Sequence, residues 1–203
     1  HITTSTHRRN PVYPATVVGR PPMEDKFLGN ATQQVLGPLI RLIHPEIRDL
    51  WAYYEAGFHN LLVVSVEERY RKEAMKTALS IMGEGQLSLT KCIITVSEDV
   101  NPRDFHAVLR AVRENFDPAY DFIMIPKVPL DTLDFTSYKM NLGSKMIIDA
   151  TRDDMEKTAK ERTFKSQDIE RLLKTIDTRI TDWNILDETL LVVTVPDSGR
   201  EVV

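Results

Sequence analysis

The chain has 203 residues, of which 42% are hydrophobic and 28% charged, with 30 acids against 26 Lys and Arg for a net charge of −4. That length fits one domain, or one domain with a fragment of another, and the composition fits a soluble chain with a sizeable core. The acidic balance excludes a general nucleic-acid binder, which needs a basic face to neutralise phosphates. No apolar run approaches the roughly 20 residues that cross a bilayer. Cys92 is the only cysteine, which excludes an internal disulfide and the C-x-x-C metal and redox patterns. The opening HITTSTHRRNPVYP lacks the apolar core and cleavage site of a secretion signal, so the expected location is the cytoplasm. The chain starts at His1 inside a strand-like run, and the expectation is that further chain precedes it.

In chain order, HITTSTHRR and VYPATVVG have strand composition on either side of Asn10-Pro11, which reads as a hairpin over residues 1–20. A lone hairpin is marginal, so it is expected to complete a sheet formed elsewhere. The loop GRPPMEDKFLG then starts a helix: Pro21 and Pro22 stiffen the exit, and Glu24 and Asp25 suit the positive helix end. Phe27, Leu28, Val35, Leu39, Ile40 and Ile43 form its apolar face, and His44-Pro45 ends it. IRDLWAYY and HNLLVVSVE read as strands, RYRKEAMKTALSIMGEG as an amphipathic helix, and KCIITVSE as a buried strand. NPRDFHAVLRAVRENF reads as a helix with Asn101 as N-cap and Pro102 at its first position. DFIMIP reads as another buried strand and SKMIIDAT as one more.

The alternation between Leu61 and Ile125 predicts a three-layer α/β domain around a mainly parallel sheet over residues 21–152, Rossmann-like in its layering. Residues 153–203 read as a charged linker (RDDMEKTAKERTFKSQD), a helix (IERLLKTI) and a strand (ETLLVVTV), expected to pack on another subunit.

The local chemistry defines no complete site. Neither G-x-G-x-x-G nor G-x-x-x-x-G-K-[ST] occurs, and GEGQLS reads as a helix C-cap and turn. His1, His7, His44, His59 and His106 show no metal-ligand spacing. Glu98, Asp99 and Asp104 follow the C-terminal end of a strand, where open α/β sheets place ligands, but the complete N-cap signature favours helix capping. Lys91, at the start of KCIITV, either snorkels at the sheet edge or meets an anion.

Six stretches together resemble one family. THRRNPVYPATVVGRPPMEDKFLG carries Gly19, Pro21, Pro22, Glu24, Leu28 and Gly29 of an x-G-[RKI]-P-P-x-E-[DP]-x-x-L-G core. HPEIRDLW, FHNLLVVSV, TKCIITVSEDVNPRDF, VPLDTLDFTS and NLGSKMIIDATR follow in register, from about His1 to Arg152. This is similar to the UbiD family of reversible decarboxylases, which use prenylated flavin mononucleotide. The resemblance implies an upstream split-barrel domain, of which residues 1–20 are the last hairpin. That domain carries the flavin, a divalent metal (Mn or Mg) on its phosphate, and the catalytic residues. No catalytic or metal-binding residue of this chain is therefore assigned. The resemblance further implies that Lys91 approaches the cofactor and that Leu28 lines the pocket of an aromatic acid. It also implies that the α/β domain closes over the site and that the protein is a homo-oligomer. On this reading the 203 residues alone are inactive. The alternatives are a stand-alone, non-catalytic assembly protein and an unrelated nucleotide-binding α/β protein, the latter disfavoured by the missing glycine loops.

Overall fold

In a computed structural model, which describes residues 2–15, 19–134, 136, 137, 139–152 and 166–196, β2 (Leu61–Val66) and β3 (Cys92–Ser97) form the centre of a five-stranded sheet. Both are continuous apolar runs buried on both faces, as strands covered by helices on each side must be. The sheet order is β1-β2-β3-β5-β4, with β1 at Ile47–Ala52, β4 at Phe122–Pro129 and β5 at Leu142–Ala150. β2, β3 and β5 run parallel, while β1 and β4 pair antiparallel at the two edges.

The two faces follow from the two-residue period of the strands. Leu62, Val64, Val66, Ile93 and Ile147 meet Ala74, Met75, Ala78 and Ile81 of α2 (Glu73–Ile81). Val63, Ile94, Val96 and Ala150 meet Val108 and Ala111 of α3 (Phe105–Asn115) on the other face. Three layers result, as expected.

Several boundaries differ from expectation. Residues 2–15 show no strand pairing among the described residues; Thr16, Val17 and Val18, part of the expected hairpin, lie outside them. The N-cap of α3 is Asp104, whose side chain accepts from the Ala107 N–H at 3.2 Å. Asn101 instead closes the preceding turn, accepting from the Arg103 N–H at 2.9 Å. β4 is an exposed edge with alternating burial rather than a buried strand. In the tail, α4 (Ser166–Ile176) and β7 (Leu190–Thr194) match the expected helix and strand, while the charged run 153–165 lies outside the described residues. A further strand, β6 (Asp182–Leu186), pairs with β7 through a turn whose Asp187 and Glu188 both take positive φ. That turn docks on α3 through His106 to Asp187 (2.6 Å), Arg113 to Glu188 (2.5 Å) and the Thr189 hydroxyl donating to the Leu109 carbonyl (3.2 Å).

The first helix, α1 (Glu24–Ile43), is built inside out. None of its residues is buried. Apart from Ile40, which packs against the core, its sheet-facing side is polar: the Gln33 carboxamide accepts from the Ala52 N–H (2.6 Å) and donates to the Ala52 carbonyl (3.2 Å), and Arg41 donates to the Arg48 carbonyl (3.0 Å). These bonds occupy the free edge of β1, which would otherwise offer a template for another strand. Gly29 makes the close approach possible, since a Cβ there would lie 2.3 Å from the tip of the Phe58 ring. Phe27, Leu28, Val35, Leu39 and Leu42 project outward, each more than half exposed.

Where α1 ends, Glu46 is buried among Thr77 (2.5 Å), Lys76 (3.1 Å) and Arg69 (3.6 Å). Burial alone would raise its carboxyl, but the hydrogen bonds from Thr77 and Lys76 and the Lys76 charge outweigh it and hold the pKa at about 2. A carboxyl lowered from 4.5 contributes stability above that value and loses it as pH falls through about 2. At 1.36 kcal/mol per unit this amounts to roughly 3 kcal/mol. Urea unfolding at pH 6 and pH 3 should show the loss beginning below about pH 4.5, and Glu46→Gln should flatten that limb. An unchanged acid limb in the variant would remove Glu46 as its cause.

Candidate functional site

Lys91 stands at the N-terminal end of β3, where its backbone N–H donates to His59 and its carbonyl accepts from Met146. The side chain does not snorkel freely. Its ammonium donates to Asp134 (2.8 Å) and to the Thr136 hydroxyl (2.5 Å), and the Asp134 side chain is only 3% exposed. Burial would raise the Asp134 carboxyl, but the hydrogen bonds from Lys91 and Thr136 prevail and lower it. An ammonium has three donors, and two of those on Lys91 are engaged among the described residues.

Three neighbours shape this end of the sheet. His59 Nδ1 bonds the Asp131 carboxylate, and that bond is the main reason the Asp131 carboxyl lies below its ordinary value. Lys145, buried on β5, donates to the carbonyls of Thr90 (2.8 Å) and Ser88, stapling the turn Gly85–Leu89 to the sheet. Burial lowers its pKa. No sequence spacing linked these residues, because His59 and Asp131 are 72 positions apart and Lys145 and Ser88 are 57 apart.

Leu28 lies on the outer face of α1 and is 64% exposed; neither it nor Lys91 lines the cavity of about 560 Å³ beneath the helix. Cys92 is inert as a nucleophile, burial pushing its thiol up to about 11. Glu98 and Asp99 pair with Arg48 and Arg152 at the surface. Among the described residues no three His, Cys, Asp or Glu side chains are grouped to hold a metal, and no helix is long and apolar enough to cross a membrane.

The fold and these blocks define a class. Residues 26–150 match the model of the 3-octaprenyl-4-hydroxybenzoate carboxy-lyase (UbiD) C-terminal domain, and the chain belongs to that family. A Chlamydia pneumoniae protein, named as one of the subunits of a 4-hydroxybenzoate decarboxylase, is 45% identical over 141 residues, 70% of this chain and 24% of that protein. The open form of the vanillic acid decarboxylase ShVdcCD of Sedimentibacter hydroxybenzoicus superposes with a TM-score of 0.62 at 26% identity, covering 84% of this chain and 38% of that one. The UbiD-class enzyme HmfF of Pelotomaculum thermopropionicum, solved with FMN, has a TM-score of 0.58 at 20% identity over 74% of this chain and 34% of that one, and shares the fold. The chain spans about a quarter to a third of the length of the curated relatives it matches, 24% and 32% in two of them.

Proposed function

We propose that this chain is the α/β part of a reversible, non-oxidative (de)carboxylase acting on an aromatic or unsaturated carboxylic acid with prenylated FMN. The flavin, with its divalent metal, serves as electron sink when bound. The residues that grip the metal and perform catalysis are assigned to other sequence of the enzyme. This chain supplies a pocket wall, shields the site from water and contributes to assembly.

The inverted face of α1 supports this reading most. A helix that turns its polar side to its own sheet and an apolar stripe outward is shaped to seat another body. The flavin-binding region of the enzyme is the occupant we assign, and Leu28, at the start of the stripe, is placed against the substrate ring. Lys91 is assigned to the cofactor phosphate through its third donor.

In the complete enzyme, Lys91→Met should weaken flavin retention about tenfold, the scale of one charge-assisted hydrogen bond. Because Met also leaves Asp134 without its cation, Lys91→Arg is the control: it keeps the charge and should restore retention. Equal flavin content in the wild type and both variants would end the cofactor role of Lys91.

A further inference from the structure

The cavity of about 560 Å³ lies between α1, β1 and the start of α3. Its walls are the rings of Trp51, Tyr53, Tyr54 and Phe105, with Lys26 and Arg103 at the rim. Tyr53 and Phe105 meet edge to face at 5.4 Å, and the Tyr53 hydroxyl is anchored by donating to the Pro102 carbonyl at 2.7 Å. These walls are pre-organised, and the volume falls in the range of small-molecule pockets.

The charges at the rim are already balanced. Lys26 lies 3.3 Å from Glu55 and 5.4 Å from the Tyr54 ring centre; Arg103 pairs with Asp49 and stacks at 4.7 Å over Trp51. Burial, with Asp104 and Glu55 nearby, pushes the Tyr53 phenol up to about 12, so the local field opposes a further negative charge. Aromatic faces with balanced ion pairs favour a flat, uncharged ring, while a free carboxylate would have to displace Glu55 or Asp49. Asn30, on α1, adds a carboxamide that can bond a hydroxyl or carbonyl on that ring.

We propose that this cavity binds an uncharged planar aromatic molecule bearing a hydroxyl or carbonyl group. Lys26 and Asn30 come from α1 and the ring walls from the sheet side, so the ligand fixes the stance of α1 on the sheet. The inference does not rest on the decarboxylase reading, and its test needs no flavin.

The test uses the 203-residue chain labelled with ¹⁵N, whose two indole N–H signals, Trp51 and Trp183, are assigned with Trp183→Phe. Phenol and benzoate are titrated separately. The expected result is a saturable shift of the Trp51 signal with phenol, an unmoved Trp183 signal, and binding of benzoate at least about tenfold weaker. Slower hydrogen exchange in the first half of α1 should accompany phenol binding. Ala56→Leu, which fills the cavity, should abolish the shift at an unchanged melting temperature. Benzoate binding as tightly as phenol would overturn the assignment of an uncharged ligand, and no saturable shift with either would overturn the site. Should Ala56→Leu not fold, the wild-type titrations decide alone.

Discussion

Replacing Lys72 by Met is expected to remove about 1–3 kcal/mol of stability, the cost of leaving two buried carboxylates without the half-buried ammonium between them. Lys72 is held at φ +64° just before α2, and its ammonium bridges Asp121 and Asp149, the latter at 2.9 Å. Both carboxylates are 1% exposed. Asp149 also accepts from the hydroxyls of Thr95 (3.0 Å) and Thr151 (2.6 Å), so it stays hydrogen-bonded, but its charge loses its cation. Nearby Glu68 is already raised, first by burial and then by the Asp149 charge. The group therefore has no room for a further uncompensated anion. Urea unfolding measures the loss, and Lys72→Met combined with Asp149→Asn should recover part of it, because the pair couples. A loss below about 1 kcal/mol in the single variant would mean that Lys72 is not what compensates these carboxylates.

The second large effect separates the two faces of α1. Leu39→Asp alters an exposed side chain, so the unfolding free energy of this chain should change by no more than about 0.5 kcal/mol. If the stripe seats the flavin-binding region as proposed, the same change in the complete enzyme sets a carboxylate into that apolar contact. At several kcal/mol, activity or assembly should fall by about 10² or more. Gln33→Leu should do the reverse to the isolated chain. It leaves the N–H and carbonyl of Ala52 without their bonds and costs about 1–3 kcal/mol if that edge stays dry. Wild-type activity in Leu39→Asp would mean that the stripe faces solvent in the enzyme as well.

The layers of the domain were legible because their signal is local. The apolar runs at Leu62–Val66 and Ile93–Val96 and the helical spacing of Ala74, Ala78 and Ile81 specify a buried sheet and its cover without knowledge of the rest. The face of α1 was legible as apolar, but not its direction: only the Gln33 bonds to Ala52 and the fit of Gly29 against Phe58 show that the polar side points inward. Asn101-Pro102 imitated a helix start because an Asn closes a turn and caps a helix with the same oxygen. β6 escaped because its turn uses Asp187 and Glu188 at positive φ without the usual glycine. Long-range pairs carry no sequence spacing at all. Lys72 reaches partners 49 and 77 positions away, and Lys91 reaches Asp134 from 43. The signature blocks therefore pointed to the family, while the bonds that organise each end of the sheet emerged only from the fold.

The most direct measurement of the central claim is release of CO₂ from a hydroxybenzoate by the purified 203-residue chain, supplied with prenylated FMN and Mn²⁺. It should be run with and without the flavin-binding region of the enzyme. We expect no release above background from the chain alone, and release once that region is present. Turnover by the chain alone would contradict the account, because it would place the chemistry within these residues.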